Sequence, residues 1–466
     1  MSEVSKKDKQ KHMILQDNMW KVMWRVSWPA IIAMVLYGLN SVFDAIFVGG
    51  YVGETALAGV SLAYPLSQMT LGIGSLIGVG AGSALSIALG ANDKWTQSRI
   101  LGNVNYLSLI TSVLFGVLAF IFAEPLVRFM GGEGEALVQG TDYFRVTVIG
   151  SLFWVHGLAC NMVVRAEGRM KAAAVMMGIG LGVNIFANYI LVGLLQLGVA
   201  GAAWGTNLGM LVYTISGLVY FKRGNASFEG HPFTIHRDKK IIKAIMSMGM
   251  SSLIMSVMSL VQAIVVFNAL SGVGTTSDIA FYGAVYRIFT LMLTPLFGLM
   301  RALQPVAGIN YGAQQHERVI KSAKVFILCG TILMLPFWLV MMIYPQGLLA
   351  SMLPGAVFDA VSLANFRIFM ALLPLLPVVF MAMTFFPAIN RGKAASIMGI
   401  LRQLVLYVPV MLVLPKMLGV NWVYYGSTAI DILISLAAFW MFARTFRSLR
   451  AKKQEPVNAE AVLEAD

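Results

Sequence analysis

Polar side chains inside long apolar runs are the residues of this chain best placed to do chemistry. Asp44 lies in the apolar stretch LNSVFDAIFVGG, with Asn40 one helical turn before it and Tyr37 on the same helical face. A carboxylate in a nonpolar environment can take up a proton or hold a cation. Asp44 is therefore the first candidate for coupling an ion to a conformational change, and a structural ion pair is the alternative.

A second polar group lies later in the first half of the chain. Asn184 and Asn188 are four residues apart, so their amides share one helical face, and Thr206 follows in the next apolar run. Amide and hydroxyl groups can complete the surroundings of an ion held at Asp44. The alternative is hydrogen bonding between helices that has no part in ion binding.

Further ionisable side chains lie in apolar runs of the second half. Arg287 and Arg301 are fourteen residues apart, nearly four helical turns, and so share one face of a helix. Arg402 and Asp431 lie in neighbouring runs and predict a buried pair, for which a structural role is favoured. Because such groups usually face an interior cavity, we name six candidates for its wall: Tyr37, Asn40, Gln262, Arg287, Arg301 and Asp431.

The sequence contains no pattern typical of catalysis or of a resident metal. His156 and Cys160 are four residues apart, but no further Cys, His or acid accompanies them at metal-site spacing, so a hydrogen-bonded buried histidine is favoured. Motifs for nucleotide binding, zinc proteolysis and serine hydrolysis are missing. We therefore expect no enzyme, no catalytic residue, no metal site and no cofactor.

Membrane-spanning helices must position these residues. Of the 466 residues, 58% are hydrophobic and 12% are charged, half the charge of an average soluble domain, so a water-soluble protein is excluded. The long runs are apolar on all sides, which predicts helices rather than the strands of a barrel. About twelve spans are expected, near 26–49, 56–89, 101–123, 143–164, 172–195, 198–221, 243–270, 279–310, 320–344, 364–388, 394–415 and 422–443.

The distribution of basic residues orients these spans. Of 34 Lys and Arg residues, 27 fall in one alternating set of connections and termini and only four in the other. Positive charge favours the cytoplasmic side, so we expect a multi-pass protein of the cytoplasmic (inner) membrane with both termini in the cytoplasm. The basic residues that give the net charge of +13 lie between apolar runs, so the charge does not indicate a nucleic-acid partner.

The second half of the chain repeats the first. Gly90-Ala91 matches Gly312-Ala313 at an offset of 222 residues, and LGVAGAAWGT (197–206) matches LGVNWVYYGS (418–427) at 221. Six spans therefore occur twice in the same orientation. We predict a cytoplasmic segment at 1–25, an N-lobe of spans one to six at 26–221, a linker at 222–242, a C-lobe of spans seven to twelve at 243–446 and a tail at 447–466.

Several segments carry a family resemblance. They are WPAIIAMVLYGLNSVFDAIFVGGYVGETALAGVSLAYP (28–65), GVGAGSALSIALGANDK (78–94), RAEGRMKAAAVMMGIGLGVNIFANYILV (165–192), GVAGAAWGTNLG (198–209) and QPVAGINYGAQ (304–314). On these segments the chain resembles the multidrug and toxic compound extrusion (MATE) family of cation-coupled exporters. Lipid-linked flippases of the same superfamily share the twin six-helix architecture.

The resemblance implies an all-α, V-shaped pair of pseudo-symmetric six-helix lobes. By alternating access, the lobes would exchange H⁺ or Na⁺ for an organic compound that is amphipathic or cationic. Asp44, Asn184 and Thr206 match residues of the family's N-lobe cation site. Four residues after the matched Asn the family usually has Asp, whereas this chain has Asn188, so one carboxylate is missing and H⁺ is favoured.

The resemblance also leaves alternatives open. Relatives carry an acid near the position of Arg301 or in span seven, where this chain offers only Gln262, so an ion site in the C-lobe does not carry over. The buried arginines suit an anionic cargo, and a flippase of a lipid-linked precursor is the alternative function. We expect a small organic substrate and membrane lipid as partners, and a monomer.

Overall fold

The described part of the protein is almost entirely helical. The computed structural model describes residues 9–353 and 355–451. Within them, nothing is described for the side chains of Asn40, Ser41, Val42, Ala45, Glu54, Ala263, Phe267 and Thr276. The helices are α1 (Lys9–Gln16), α2 (Met19–Phe47), α3 (Glu54–Ala91), α4 (Lys94–Ile121), α5 (Ala123–Phe129), α6 (Gly134–Ile149), α7 (Ser151–Ala166), α8 (Met170–Asn188), α9 (Gly198–Lys222), α10 (Lys239–Val273), α11 (Thr276–Gly312), α12 (His316–Ile343), α13 (Pro345–Met352), α14 (Ala360–Met370), α15 (Leu376–Ala388), α16 (Gly392–Ile400), α17 (Val408–Leu418) and α18 (Trp422–Ala451).

Most of these helices can cross a membrane. In the described residues, nine are long and apolar enough by length and composition, and α6 with α7, bent by 54°, makes a tenth span. The short apolar helices α14 and α15 together correspond in chain order to the predicted tenth span. The helix α9, which is rich in small residues, corresponds to the predicted sixth span. π-Helical turns at Val48–Val52, Tyr189–Leu194 and Leu401–Tyr407 extend α2 and α8 and join α16 to α17.

The helices form two lobes that meet along α2 and α3 on one side and α10 and α11 on the other. Gly90 and Gly312 allow two backbones to touch: a Cβ at Gly90 would lie 2.1 Å from the Ile309 carbonyl oxygen, and a Cβ at Gly312 would lie 2.0 Å from that of Ile87. The two contacts are related by the 222-residue offset, because Ile87 corresponds to Ile309 as Gly90 does to Gly312. The internal repeat is therefore visible as a symmetric lobe contact.

The described ends of the chain lie at the same face of the molecule. The Arg318 guanidinium donates to the carbonyls of Ile14 at 2.7 Å and Asp17 at 2.9 Å. Arg450, at the end of α18, lies 3.5 Å from Glu317 at the start of α12. This face holds the predicted positive connections, and we call it the basic face.

Candidate ion-coupling site

The predicted polar cluster of the N-lobe forms where α2, α8 and α9 meet. Asn188 Nδ2 donates to Asp44 Oδ1 at 2.7 Å, and Thr206 Oγ1 lies 3.5 Å from Asp44 Oδ2. Asn184 Nδ2 donates to Thr206 Oγ1 at 3.2 Å. The structure therefore brings all four candidate coupling residues together.

Small residues of α9 make room for the amides of α8. A Cβ at Gly205 would lie 2.1 Å from Asn188 Oδ1, and one at Gly209 would lie 2.8 Å from the Asn184 Cβ. Glycine lets two helices approach closely in a membrane. The run GVAGAAWGTNLG therefore positions the two amides against the carboxylate on α2.

Two oxygens in this cluster lack a hydrogen-bond donor. Asn184 Oδ1 and Asn188 Oδ1 are buried, and neither has a hydrogen-bond partner among the described residues. A buried acceptor without a partner is costly. Together with the carboxylate and hydroxyl oxygens, they form a group of oxygen atoms that fits a small cation or a hydrated proton.

A cavity of about 40 Å³ adjoins this cluster inside the N-lobe, which is large enough to hold water. Asn184 and Thr206 line it towards Asp44, while Tyr37 and Tyr213 line it elsewhere. The rest of its wall is mainly apolar: Leu36, Leu71, Trp154, Leu158, Met177, Gly180, Leu181, Gly209 and Met210. The predicted cavity residue Tyr37 is thus at the wall of this N-lobe cavity.

A pair of arginines lies beyond the tyrosines, between the lobes. Arg301 of α11 interacts electrostatically with Arg165, Tyr37 and Tyr213. Arg165 is 5% exposed, and its Nε donates to Asn161 Oδ1 at 2.8 Å. Arg301 Nη1 lies 4.0 Å from the sulfur of Met162. No carboxylate pairs with either guanidinium within the described residues.

The remaining predicted cavity residues do not join this cluster. Arg402 donates through two nitrogens to Asp431 Oδ1, at 2.8 and 3.1 Å, so the predicted ion pair forms. Gln262 accepts from Gln403 at 2.7 Å. Arg287 is exposed and makes no hydrogen bond or ion pair within the described part of the chain, and the side chain of Asn40 lies outside the described residues.

His156 is a hydrogen-bonded core residue, as its spacing suggests. Its Nε2 lies 2.9 Å from Asn105 Oδ1, and Cys160 Sγ lies 3.5 Å from the same nitrogen. The described residues contain no group of three or more His, Cys, Asp or Glu side chains that could hold a metal ion.

Comparison with known families accounts for both halves of this architecture. The MatE family model matches the chain twice, over residues 29–190 and 248–413, together more than half of its length. The chain belongs to the MATE family. The two matches fall in the two halves of the repeat, and because this is a family of transporters, the chain is a transporter and not an enzyme.

Relatives and solved structures agree with this MATE assignment. The multidrug export protein MepA of Staphylococcus haemolyticus (strain JCSC1435) is 23% identical over 466 residues, which cover 97% of this chain and 100% of MepA. A multidrug resistance MATE family transporter of the MOP superfamily, solved in an outward-facing conformation, has a TM-score of 0.88 at 24% identity, covering 95% of this chain and 99% of that one. The predicted all-α fold, a V-shaped pair of lobes, is confirmed.

A third similar protein differs in its pocket. It is a MOP superfamily transporter from Pyrococcus furiosus Vc1 (DSM3638), described as having a binding pocket of reverse polarity that suggests a different function. It has a TM-score of 0.85 at 25% identity and covers 95% of this MATE chain and 99% of its own.

Sequence reasoning placed one residue of the site wrongly. Arg165 follows the predicted span near 143–164 and, with Arg169 and Lys171, is one of the 27 basic residues counted in the connections. In the structure it lies in α7 and is buried beside Arg301. The signal was its position four residues after Asn161, which places both on one helical face. Charge counting treats any arginine near the end of an apolar run as exposed, and this one turns inwards.

Proposed function

We propose that this MATE chain is an antiporter that exports amphipathic organic compounds, including organic cations, in exchange for H⁺ or Na⁺. The observation that carries the proposal is the contact of Asp44 with Asn188 and Thr206 beside an internal cavity. MepA, the relative described above, is a multidrug export protein, which supports a varied organic cargo. The basic face would lie in the cytoplasm of the cell, and the chain in its inner membrane.

Proton binding at Asp44 would change the contacts between helices. A protonated carboxyl group loses its charge, and one of its oxygens becomes a donor. The hydrogen bonds from Asn188 and Thr206 to that group then weaken. Because α2 also packs against α11 of the C-lobe, a shift of α2 changes the lobe interface as well as the cavity.

Na⁺ is the other candidate ion. It would take the Asp44 carboxylate and the unpartnered oxygens of Asn184 and Asn188 as ligands. With one carboxylate, the site carries a single titratable charge, which favours H⁺. No resident cofactor is needed for either ion.

Alternating access requires that the lobes separate at one face and close at the other. Here α3 and α11 touch near the basic face, through Gly90 and Gly312. A cargo inside the molecule would therefore leave towards the opposite side, and loading from the basic face requires these contacts to open.

Transport in proteoliposomes tests the proposal. An organic-cation dye is loaded, a pH or Na⁺ gradient is imposed, and dye efflux is compared for the wild type and Asp44→Asn. We expect efflux driven by one gradient, and its loss in Asp44→Asn. Coupled efflux that persists in Asp44→Asn would refute the role of Asp44, and Asp142→Asn, at an exposed carboxylate of α6, serves as the control.

The second candidate function is a flippase for a lipid-linked precursor. The observation that favours it is the pair Arg165 and Arg301, which has no acid partner in the described residues and suits an anionic group. Translocation of a fluorescent lipid-linked phosphate in the same proteoliposomes, with no efflux of organic cation or anion dyes, would favour the flippase over the exporter.

A further inference from the structure

A basic pocket lies outside the proposed ion-coupling site, at the basic face. Its volume is about 520 Å³. Gln10 and Met13 of α1, Arg25 and Trp28 of α2, and the start of α8 surround it. Gln10 Nε2 donates to the Gly168 carbonyl at 2.8 Å, which fixes α1 to the turn before α8.

The charges around this pocket are all positive. Arg25, Arg169 and Lys171 line it, and no acid does. Arg169 lies 4.0 Å from Glu167, but its Nε is buried without a hydrogen-bond partner among the described residues. Arg25 lies 3.8 Å from Asp17 and is largely exposed. The pocket therefore holds more positive charge than the neighbouring acids balance.

Glu167 forms no hydrogen-bonded ion pair with the cations of the pocket, because its oxygens accept from Ser227 and Tyr220 instead. The backbone N–H and hydroxyl of Ser227 both donate to Glu167 Oε2. The Tyr220 hydroxyl donates to Oε1 at 3.3 Å. The Arg169 side chain is 26% exposed and makes no hydrogen bond to Glu167, so its guanidinium can bind a ligand that brings its own acceptor oxygens.

The pocket lies at the basic end of two exposed apolar stripes. On α2, three tryptophans face outwards at four-residue spacing and are followed by aliphatic side chains: Trp20, Trp24, Trp28, Ile32, Val35 and Leu39. On α8, Lys171 is followed at the same spacing by Val175 and Ile179, which are also exposed. Because α2 packs against α8, the stripes form adjacent lipid-facing surfaces.

The tryptophans place the pocket at the level of the lipid headgroups. Tryptophan is enriched where the hydrocarbon meets water, and Trp28 lines the pocket itself. Lys171 Nζ lies 5.3 Å from the centre of the Trp28 ring. A ligand held here would have its polar group on the cations and any apolar chains along α2 and α8.

We propose that this pocket binds the phosphate of an anionic phospholipid. The guanidinium of Arg169 and the ammonium of Lys171 donate to the phosphate oxygens, with Arg25 at the rim. Basic pockets between spanning helices on the cytoplasmic side are suited to such headgroups. A free phosphate offers the same oxygens, but the apolar stripes that continue from the pocket favour a lipid.

Lipid retention measured by native mass spectrometry tests the proposal on the full-length chain. The protein is released from bilayers of phosphatidylcholine with one third phosphatidylglycerol, and the bound lipids are counted. We expect the wild type to retain phosphatidylglycerol preferentially. In Arg169→Gln/Lys171→Gln, its affinity should fall roughly 30-fold, since each cation near a membrane surface contributes about a five-fold factor.

The control is a second cation placed over a tryptophan. Arg444 lies 5.5 Å from the centre of the Trp440 ring but does not line the pocket, so Arg444→Gln should keep the preference. If the double variant does not fold, Arg25→Gln, a change at an exposed side chain, should weaken phosphatidylglycerol binding by a smaller factor. Retention of the two lipids by the wild type in the bilayer's own 2:1 proportion, or an equal loss of phosphatidylglycerol in Arg444→Gln, would overturn the proposal.

A separate arm distinguishes the two sources of phosphate. Unfolding temperature is measured in phosphatidylcholine discs with added inorganic phosphate, and in discs that contain phosphatidylglycerol at the same ionic strength. We expect stabilisation by phosphatidylglycerol alone, reduced in the double variant. Equal stabilisation by inorganic phosphate would assign the pocket to a free anion instead.

Discussion

At the scale of single residues, the proposed coupling depends on one carboxylate held by amides. Asp44 accepts from Asn188 on α8, while the oxygens of Asn184 and Asn188 remain without donors in the described structure. An amide supplies an oxygen ligand without adding charge. This arrangement can bind one cation while only one group changes its charge.

Adding a second carboxylate should change the ion that drives transport. In Asn188→Asp, two carboxylates would share the site, and like charges at that distance favour retention of a cation between them. We expect efflux driven by a Na⁺ gradient to rise several-fold over the wild type. Gln262→Glu adds an acid to the C-lobe instead and serves as the control, and an equal Na⁺ response in both variants would contradict the expectation.

The Arg402–Asp431 pair is expected to stabilise the C-lobe rather than to bind cargo. Its side chains are 21% and 15% exposed, so Arg402→Gln leaves a poorly solvated carboxylate. We expect the free energy of unfolding to fall by roughly 2–4 kcal/mol. The double variant Arg402→Met/Asp431→Leu should lose less free energy of unfolding than Arg402→Gln. Denaturant unfolding in detergent checks this, and a double variant as unstable as the single one would be evidence against the pair.

The sequence was sufficient to predict the polar cluster but not the second buried arginine. Asp44 and the two asparagines are rare polar residues in apolar runs, and helical spacing places the asparagines on one face. Arg165 lies at the end of a run, where sequence alone cannot distinguish a side chain that turns inwards from one in water. Glycine contacts such as Gly205 against Asn188 also require the positions of two helices in space.

At the scale of helices, the contacts that close the basic face depend on glycine. A Cβ at Gly90 or Gly312 would meet the backbone of the other lobe at 2.1 or 2.0 Å. A backbone carbonyl cannot rotate away as a flexible side chain can, so a methyl group there must separate the lobes. Even the methyl group of alanine at Gly90 or Gly312 is therefore expected to disturb the closure of this face.

Alanine at these glycines should hold the basic face open. We expect Gly90→Ala and Gly312→Ala to lengthen the distance between spin labels at positions 94 and 321 by several ångströms, and to slow transport. Pulsed electron spin resonance measures this after Cys160 and Cys329 are replaced by serine. Gly182→Ala, where a Cβ meets no atom within 4 Å, is the control, and an unchanged distance in Gly90→Ala would contradict the closure role.

The segment 223–238 between the lobes is attached to the N-lobe through a buried acid. Glu167 follows α7, and burial raises its pKa to about 7 although Ser227 donates to it. A group whose folded-state pKa is raised contributes full stability below its ordinary value of 4.5. That contribution is lost as pH rises through about 7.

Neutralising Glu167 should remove this pH dependence. Glu167→Gln keeps an oxygen acceptor for Ser227 without the ionisation, so its unfolding temperature should change less than that of the wild type between pH 5 and 8. Ionisation of Glu167 should lower the free energy of unfolding of the wild type at pH 8 by on the order of 3 kcal/mol relative to its value at acidic pH. Glu317→Gln, at a 75% exposed side chain, is the control. Equal pH profiles for Glu167→Gln and the wild type would contradict the expectation.

At the scale of the whole molecule, repetition and charge made the architecture predictable. The offset of about 222 residues predicts that six spans repeat, and the structure shows one contact of the repeat twice, at Ile87 with Gly312 and Ile309 with Gly90. Broken spans are harder to predict from sequence. Here α6 and α7 are bent by 54°, and the short helices α14 and α15 lie within one apolar stretch. Hydropathy records the length of an apolar run and not the direction of the backbone inside it.

Thermodynamic linkage between the ion and the cargo is the most direct test of the proposed coupling at Asp44. The affinity of the purified protein for an organic-cation dye is measured against pH, for the wild type and Asp44→Asn. Because linkage is reciprocal, we expect dye affinity to fall as protons bind to the wild type and to stay constant across pH in Asp44→Asn. A wild-type affinity independent of both pH and Na⁺, or an equal pH dependence in Asp44→Asn, would contradict the assignment of Asp44 as the coupling group.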